Sequence, residues 1–410
     1  KIGMTKLWAL FLVVFVLLRN AQAAADGNKS RGGMRRLAGA PGVPVPMTLL
    51  TSAVAMGAVC LDGTPPAYHM DPGSGAGKNR WIIHLQGGSW CESVGSCLYR
   101  KASSLGSSNL MNKQIYFGGI LSSSPLDNPD FYSWNQVVIR YCDGASFAGE
   151  GYDAGSGLFF RGQRIWNAAI QHLLAMGMSS ADQVLLTGSS AGALAVVLHC
   201  DQFGAVFAGR GTTVKCLADA GFFLDAVNVA GWHTLRYYFG GVVATHGVAQ
   251  NLPRSCTSHL DATSCFFPQN VIGGINTPIF VLNAAYDAWQ AIQIRESLAP
   301  DGADPGRAWR ACKSSRLACN AFQMNFLQAF RDQMVGTVLG VSRSRRNGFF
   351  INSCFTHDQS EYLATWNAYG SPSIQNKAIW KSVGDWYFGR AEVRAIDCAY
   401  PCDNTCHHEM

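Results

Sequence analysis

Charge is scarce in this chain of 410 residues: Asp, Glu, Lys and Arg together make up 14% of it, against about 25% in an average soluble domain. With 48% of residues apolar, a disordered or solvating polymer is excluded, because such chains are rich in charge and poor in core-forming residues. No uninterrupted apolar run reaches the about 20 residues that a helical membrane span needs. The run from Leu7 to Leu18 falls short, and later runs are broken by charge or glycine. A basic stripe with interleaved aromatics is also missing, which argues against nucleic acid as a partner. Neither an internal repeat nor a linker divides the chain after residue 47, so one large domain is expected there. Cysteine, by contrast, is plentiful: there are 14, an even number whose meaning depends on the redox compartment.

The N-terminus points to that compartment. Lys1 and Lys6 precede the apolar run, and Ala21-Gln22-Ala23 follows it as a small-x-small cleavage site. Residues 1–23 therefore read as a secretory signal peptide, with Met4 as its start. Residues 24–46 are rich in Gly, Ala and Arg without periodicity and read as a flexible basic arm. That arm carries Asn28-Lys29-Ser30, an acceptor for N-glycosylation. Residues 47–410 are then a secreted domain without a membrane span, and its cysteines are expected to form bridges. The formal charge of +6 suits either an acidic polysaccharide partner or ordinary surface charge.

Short apolar runs alternate with helical patterns along the domain. Trp81 to Leu85, Val137 to Ile139, Val184 to Leu186 and Ile279 to Leu282 fit buried strands. Ile165, Trp166, Ala169, Ile170, Leu173 and Leu174 share one helical face that Gly177 stops. Further helices are predicted from Gly192 through Leu198 and along Phe322, Phe326, Phe330 and Met334. Strands separated by helices predict an α/β fold, a mostly parallel central sheet flanked by helices.

Gly188-Ser189-Ser190-Ala191-Gly192 is a G-x-S-x-G between a buried strand and an apolar helix. In that setting the small residues permit a tight turn that exposes the central hydroxyl, which makes Ser190 the candidate nucleophile. The amide of Ala191, at the helix N-terminus, becomes a candidate oxyanion donor. An acid and a histidine are then needed downstream. Asp287 lies just past a buried strand, whereas Asp225 and Asp332 lack one. His357 follows the apolar run Phe349 to Ile351, whereas His407 and His408 sit in a cysteine-rich tail. A second oxyanion donor is expected from Gly87-Gly88-Ser89-Trp90, directly after the strand ending at Leu85.

Two patterns are set aside. Gly73 to Lys78 resembles a phosphate loop, but Asn79 stands where Ser or Thr is needed and a strand follows. Cys398, Cys402, Cys406, His407 and His408 are zinc-ligand types, yet an oxidising compartment makes bridges the better reading. Local spacing suggests Cys91 with Cys97, Cys256 with Cys265 and Cys312 with Cys319. Cys60 with Cys142 would join the N-terminal segment to the second strand.

At these motifs the chain closely resembles the plant pectin acetylesterase family, and more distantly the secreted carboxylesterase Notum. The resemblance is carried by Gly88-Ser89-Trp90-Cys91, Arg140-Tyr141-Cys142-Asp143-Gly144, the turn at Ser190 and Asp219-Ala220-Gly221-Phe222-Phe223. It continues through Cys265-Phe266-Phe267-Pro268-Gln269-Asn270, Asn283 to Asp287, Ile351-Asn352-Ser353-Cys354 and Tyr400-Pro401-Cys402. It implies an α/β-hydrolase-like, disulfide-stapled domain and a triad of Ser190, Asp287 and His357. The implied activity is hydrolysis of acetyl esters on cell-wall galacturonan through an acetyl-enzyme, without metal or cofactor. Gly88, Ser89 and Ala191 would form the oxyanion hole, and Trp90 would contact substrate. Other acyl esters or polymers, or a catalytically quiet wall-binding protein, are the alternatives. The chain departs from the family at Gln86 and Ser89, where relatives carry Glu and Gly. It departs again at Ser189 and Asp358, where they carry cysteines, and Asp358 is expected to raise the pKa of His357.

Overall fold

The computed structural model describes residues 43–293, 298–342 and 344–406. The expected signal peptide, Asn28 and the histidine pair at the tail lie outside them. In chain order the strands are β1 (Pro44–Leu49), β2 (Ala67–Asp71), β3 (Arg80–Leu85), β4 (Gln114–Tyr116), β5 (Asn135–Ile139), β6 (Gly151–Asp153) and β7 (Leu158–Phe160). There follow β8 (Gln183–Ser189), β9 (Thr213–Asp219), β10 (Ile279–Ala284), β11 (Gly348–Asn352), β12 (Ser373–Ile374), β13 (Lys377–Ala378) and β14 (Arg394–Ile396). Ten of them form one sheet in the order β14-β11-β10-β9-β8-β3-β5-β2-β1-β4. From β14 to β5 every pairing is parallel, and β2, β1 and β4 extend one edge antiparallel.

Side chains alternate across this sheet and divide the core in two. Ile83, Val137, Leu186, Val281 and Phe349 face one layer, while Ile82, Val138, Leu185, Phe280 and Phe350 face the other. Both faces are apolar because helices cover both, as a parallel sheet requires. The helix Gly162–Ala175 buries Ile165, Trp166, Ala169, Ile170 and Leu173, the face that sequence periodicity predicts. The helix Ala191–Val206 is buried along most of its length, and Ala321–Val341 starts at a reciprocal cap between Asn320 and Gln323.

One boundary shifts. Pro44 to Pro46, assigned from sequence to the basic arm, belong to β1 and pair with β4. Val45 is buried and anchors this segment, and the extended backbone that prolines impose suits a strand. β9 was not anticipated, because Lys215 interrupts its apolar run. The Lys215 ammonium leaves the sheet and donates to the carbonyls of Trp386 and Tyr387.

The three disulfides expected from local spacing and the expected Cys60–Cys142 bridge are present, together with Cys200–Cys216, Cys354–Cys406 and Cys398–Cys402. The tail cysteines are thus paired with one another or with Cys354. Cys354–Cys406 closes a span of 52 residues. A Cys354→Ser/Cys406→Ser double variant is expected to lose about 3 to 4 kcal/mol of stability, by restoring loop entropy to the unfolded chain. Urea unfolding checks this, with an m-value that rises because the unfolded chain is no longer cross-linked.

Candidate active site

The site forms at the carboxyl ends of the central strands. β8 ends at Ser189, and the next residue opens the helix Ala191–Val206 with φ +54° and ψ −123°. A non-glycine residue held there is strained, and two close approaches impose it. A Cβ on Gly188 would lie 2.6 Å from the Gly192 carbonyl and 2.9 Å from that of Leu85, and one on Gly192 would collide with the same Leu85 carbonyl. Helix and strand can pack so tightly only with glycine at both positions. The Ser190 amide donates to Asp219 O at 2.9 Å, which ties the turn to β9.

Three side chains from three segments then fall into line. Ser190 Oγ lies 2.8 Å from His357 Nε2, and His357 Nδ1 lies 2.7 Å from Asp287 Oδ2. Asp287, just beyond β10, is 2% exposed and also accepts from the Gln290 amide at 2.9 Å. His357 follows β11, and Trp289 stacks near its ring with centroids 6.2 Å apart. Burial alone would push the imidazole down, but the carboxylates of Asp287 and Asp358 overcome it and hold the pKa at about 9. Burial likewise pushes Asp358 up to about 7, against the pull of the His357 charge.

The loop that follows β3 faces this line. Gly88 (φ +139°) and Ser89 (φ +59°) both take positive φ, and neither amide, nor that of Ala191, bonds to another group among the described residues. The Gly88 carbonyl accepts from Arg100 Nη2 at 2.8 Å. In a planar trans peptide the carbonyl and the following N–H point oppositely, so Arg100 fixes the direction of the Ser89 amide. Arg100 is held in turn by its Nε on Leu105 O at 3.1 Å and by the Tyr141 ring at 4.9 Å. Gln86 Oε1 accepts from Arg140 Nε and the Tyr141 amide, an acceptor role that needs no charge. Trp90 is placed differently from a surface open to substrate. It is 4% exposed, its indole donates to Ser146 Oγ at 2.7 Å, and it packs on Phe223, Phe239 and Trp289. Ser146 Oγ donates onward to Ala191 O at 2.7 Å, so Trp90 couples the two loops from behind.

Sequence reasoning assigned no role to two acids. Asp219 Oδ2 accepts from the amides of Gln359 and Ser360, at 2.9 and 2.6 Å, and from Ser360 Oγ at 2.7 Å. Burial raises its pKa to about 6 against those donors. Glu361 accepts from Ser189 Oγ at 2.8 Å and meets His84 Nε2 at 3.0 Å. Both anchor the segment that carries His357. Their signal, an acid at a strand end or after a motif, is visible only once the strands are paired. Of the rejected acids, Asp332 lies at the surface and pairs with Arg331, whereas Asp225 is largely buried and pairs with His233 and Arg236.

A mostly parallel sheet, a strained serine between β8 and a helix, and a serine–histidine–carboxylate line together define the α/β-hydrolase class. Within it the chain belongs to the pectinacetylesterase family, whose profile matches residues 39–407, and it is a carboxylic ester hydrolase. Pectin acetylesterase 11 of Arabidopsis thaliana is 47% identical over 365 residues, covering 88% of this chain and 92% of that one. Pectin acetylesterase 5 of the same plant is 42% identical over 400 residues, covering 97% and 92%. Palmitoleoyl-protein carboxylesterase NOTUM of Mus musculus is 30% identical over 254 residues, covering 56% and 48%.

Proposed function

We propose that the protein is a secreted serine esterase that removes O-acetyl groups from cell-wall pectin. The observation that carries this reading is the unbroken line Ser190 Oγ, His357, Asp287, with contacts of 2.8 and 2.7 Å. Ser190 Oγ attacks the acetyl carbonyl while His357 Nε2 takes its proton, and Asp287 holds the imidazole tautomer and steadies the imidazolium. The tetrahedral oxyanion meets the amides of Ala191 and of the Gly88-Ser89 loop, a contribution of roughly 3 to 4 kcal/mol per donor. Nε2 then protonates the leaving sugar oxygen, and water cleaves the acetyl-enzyme by the same route in reverse. The sugar polymer and its acetyl group come from the names of the family relatives. Acetate release from acetylated pectin tests the assignment, with Ser190→Ala as control.

Packing beside the triad supports a short acyl group. Trp90, Phe223, Phe239 and Trp289 are all buried, with Trp90 centroids 5.1, 5.0 and 5.5 Å from the other three. Rings therefore fill the apolar volume next to His357 that a long acyl chain would need. The 4-nitrophenyl acetate ester is expected to give a kcat/KM at least tenfold above the octanoate. Equal values would contradict the filled pocket.

Two further outcomes follow from the site. Activity should rise with pH as the His357 imidazolium, held near 9, loses its proton and becomes a base. Asp358→Asn removes an anion that favours the charged ring, so the acidic limb of the kcat/KM profile should move to lower pH. An unmoved limb would remove Asp358 as a cause. Arg100→Met frees the Gly88 carbonyl and should lower kcat by roughly tenfold to a hundredfold with little change in KM, because it disturbs a donor used in the transition state.

A further inference from the structure

Asp358 stands beside the nitrogen that serves the leaving group. Its Oδ1 lies 3.7 Å from His357 Nε2, the nitrogen that meets Ser190 Oγ at 2.8 Å. That nitrogen must hand its proton to the ester's leaving oxygen, so the departing sugar sits in front of it and beside Asp358. Oδ1 is buried without a hydrogen-bond partner among the described residues, while the side chain as a whole is 22% exposed. The fold therefore turns Oδ1 inward toward the ring and leaves part of the side chain reachable. The charged groups acting on Asp358 are the His357 ring and the carboxylates of Asp219, Glu361 and Asp287, so this wall of the site is negative whenever the imidazole is neutral.

An ionised carboxylate can accept hydrogen bonds but donates none, and it repels another anion. We infer that Asp358 is a specificity-determining residue: its charge disfavours a leaving sugar that carries its own carboxylate. Resting on the reading of the protein as a pectin acetylesterase, this selects acetylated galacturonan whose uronates are methyl-esterified over the same polymer with free uronates. Two like charges about 5 Å apart, at an effective dielectric constant of about 20, repel strongly enough for a discrimination on the order of a hundredfold, which salt reduces to about tenfold.

The experiment compares one acetylated pectin before and after enzymatic removal of its methyl esters, with acetyl content unchanged. It is run at about pH 8, where Asp358, raised to about 7, is mainly ionised. Wild-type kcat/KM for acetate release should be about tenfold higher on the methyl-esterified polymer. In Asp358→Asn, and in the smaller neutral Asp358→Ser, that ratio should fall to within about twofold of one. The ratio cancels any change common to both polymers, including changes that act through the imidazole. A wild type without this preference, or neutral variants that keep it, would overturn the inference. If neither polymer yields acetate while 4-nitrophenyl acetate is still cleaved, it is the polymer assignment that fails.

Discussion

Ser190→Ala should reduce acetate release from acetylated pectin by roughly 10⁴- to 10⁶-fold while leaving the fold intact. The magnitude follows from the unit behaviour of a triad: without the nucleophile, neither the imidazole nor its carboxylate has a proton to move, and only binding and oxyanion stabilisation remain. The fold should survive because the change removes one hydroxyl from a residue whose backbone is positioned by others. Gly188 and Gly192 allow the turn, and the Ser190 amide is held by Asp219 O; neither contact involves the side chain. The checks are acetate release and an unshifted melting temperature measured on the same preparation. Release within tenfold of wild type would show that the reaction does not pass through Ser190.

Asp219→Ala is the second large effect expected, and its origin is different. Asp219 touches none of the reacting atoms; it is a positioning residue. One of its oxygens receives three donors from residues 359 and 360, immediately after His357. Alanine leaves two buried amides and a hydroxyl without an acceptor, a loss of about 3 kcal/mol or more in stability. It also frees the segment that aims the imidazole, and a misplacement of about 1 Å costs about a hundredfold in rate. The expected result is a fall in kcat of about a hundredfold with KM nearly unchanged, beside a lower melting temperature. A stability loss without the kcat loss would show that the segment is aimed by something else, with Glu361 as the first candidate.

Much of this arrangement is visible in the sequence, for identifiable reasons. The strands at Trp81, Val137, Val184 and Ile279 read correctly because a parallel sheet covered on both faces leaves only short apolar runs. Ser190, Asp287 and His357 could be chosen because each follows such a run, and the structure brings these three together. Three short-loop disulfides are legible from spacing, whereas Cys200–Cys216 and Cys354–Cys406 join elements whose adjacency only the folded sheet creates. Asp219 carries part of the resemblance yet has no role legible in sequence, because its strand contains Lys215, and Arg100 has none because its role depends on the orientation of a single carbonyl. Trp90 stands in the predicted oxyanion loop in sequence, but its ring turns inward toward Phe223 and Phe239.

The bridge between Cys354 and Cys406 also sets an order of events. His357 lies 167 residues after the serine it would activate, and its segment is fastened by Cys406, which comes later still. As the polypeptide grows, the turn bearing Ser190 is made long before the imidazole, and the imidazole before its fastening. The setting of the imidazole is therefore completed only once Cys406 has been made and oxidised onto Cys354, well after the turn at Ser190 has formed.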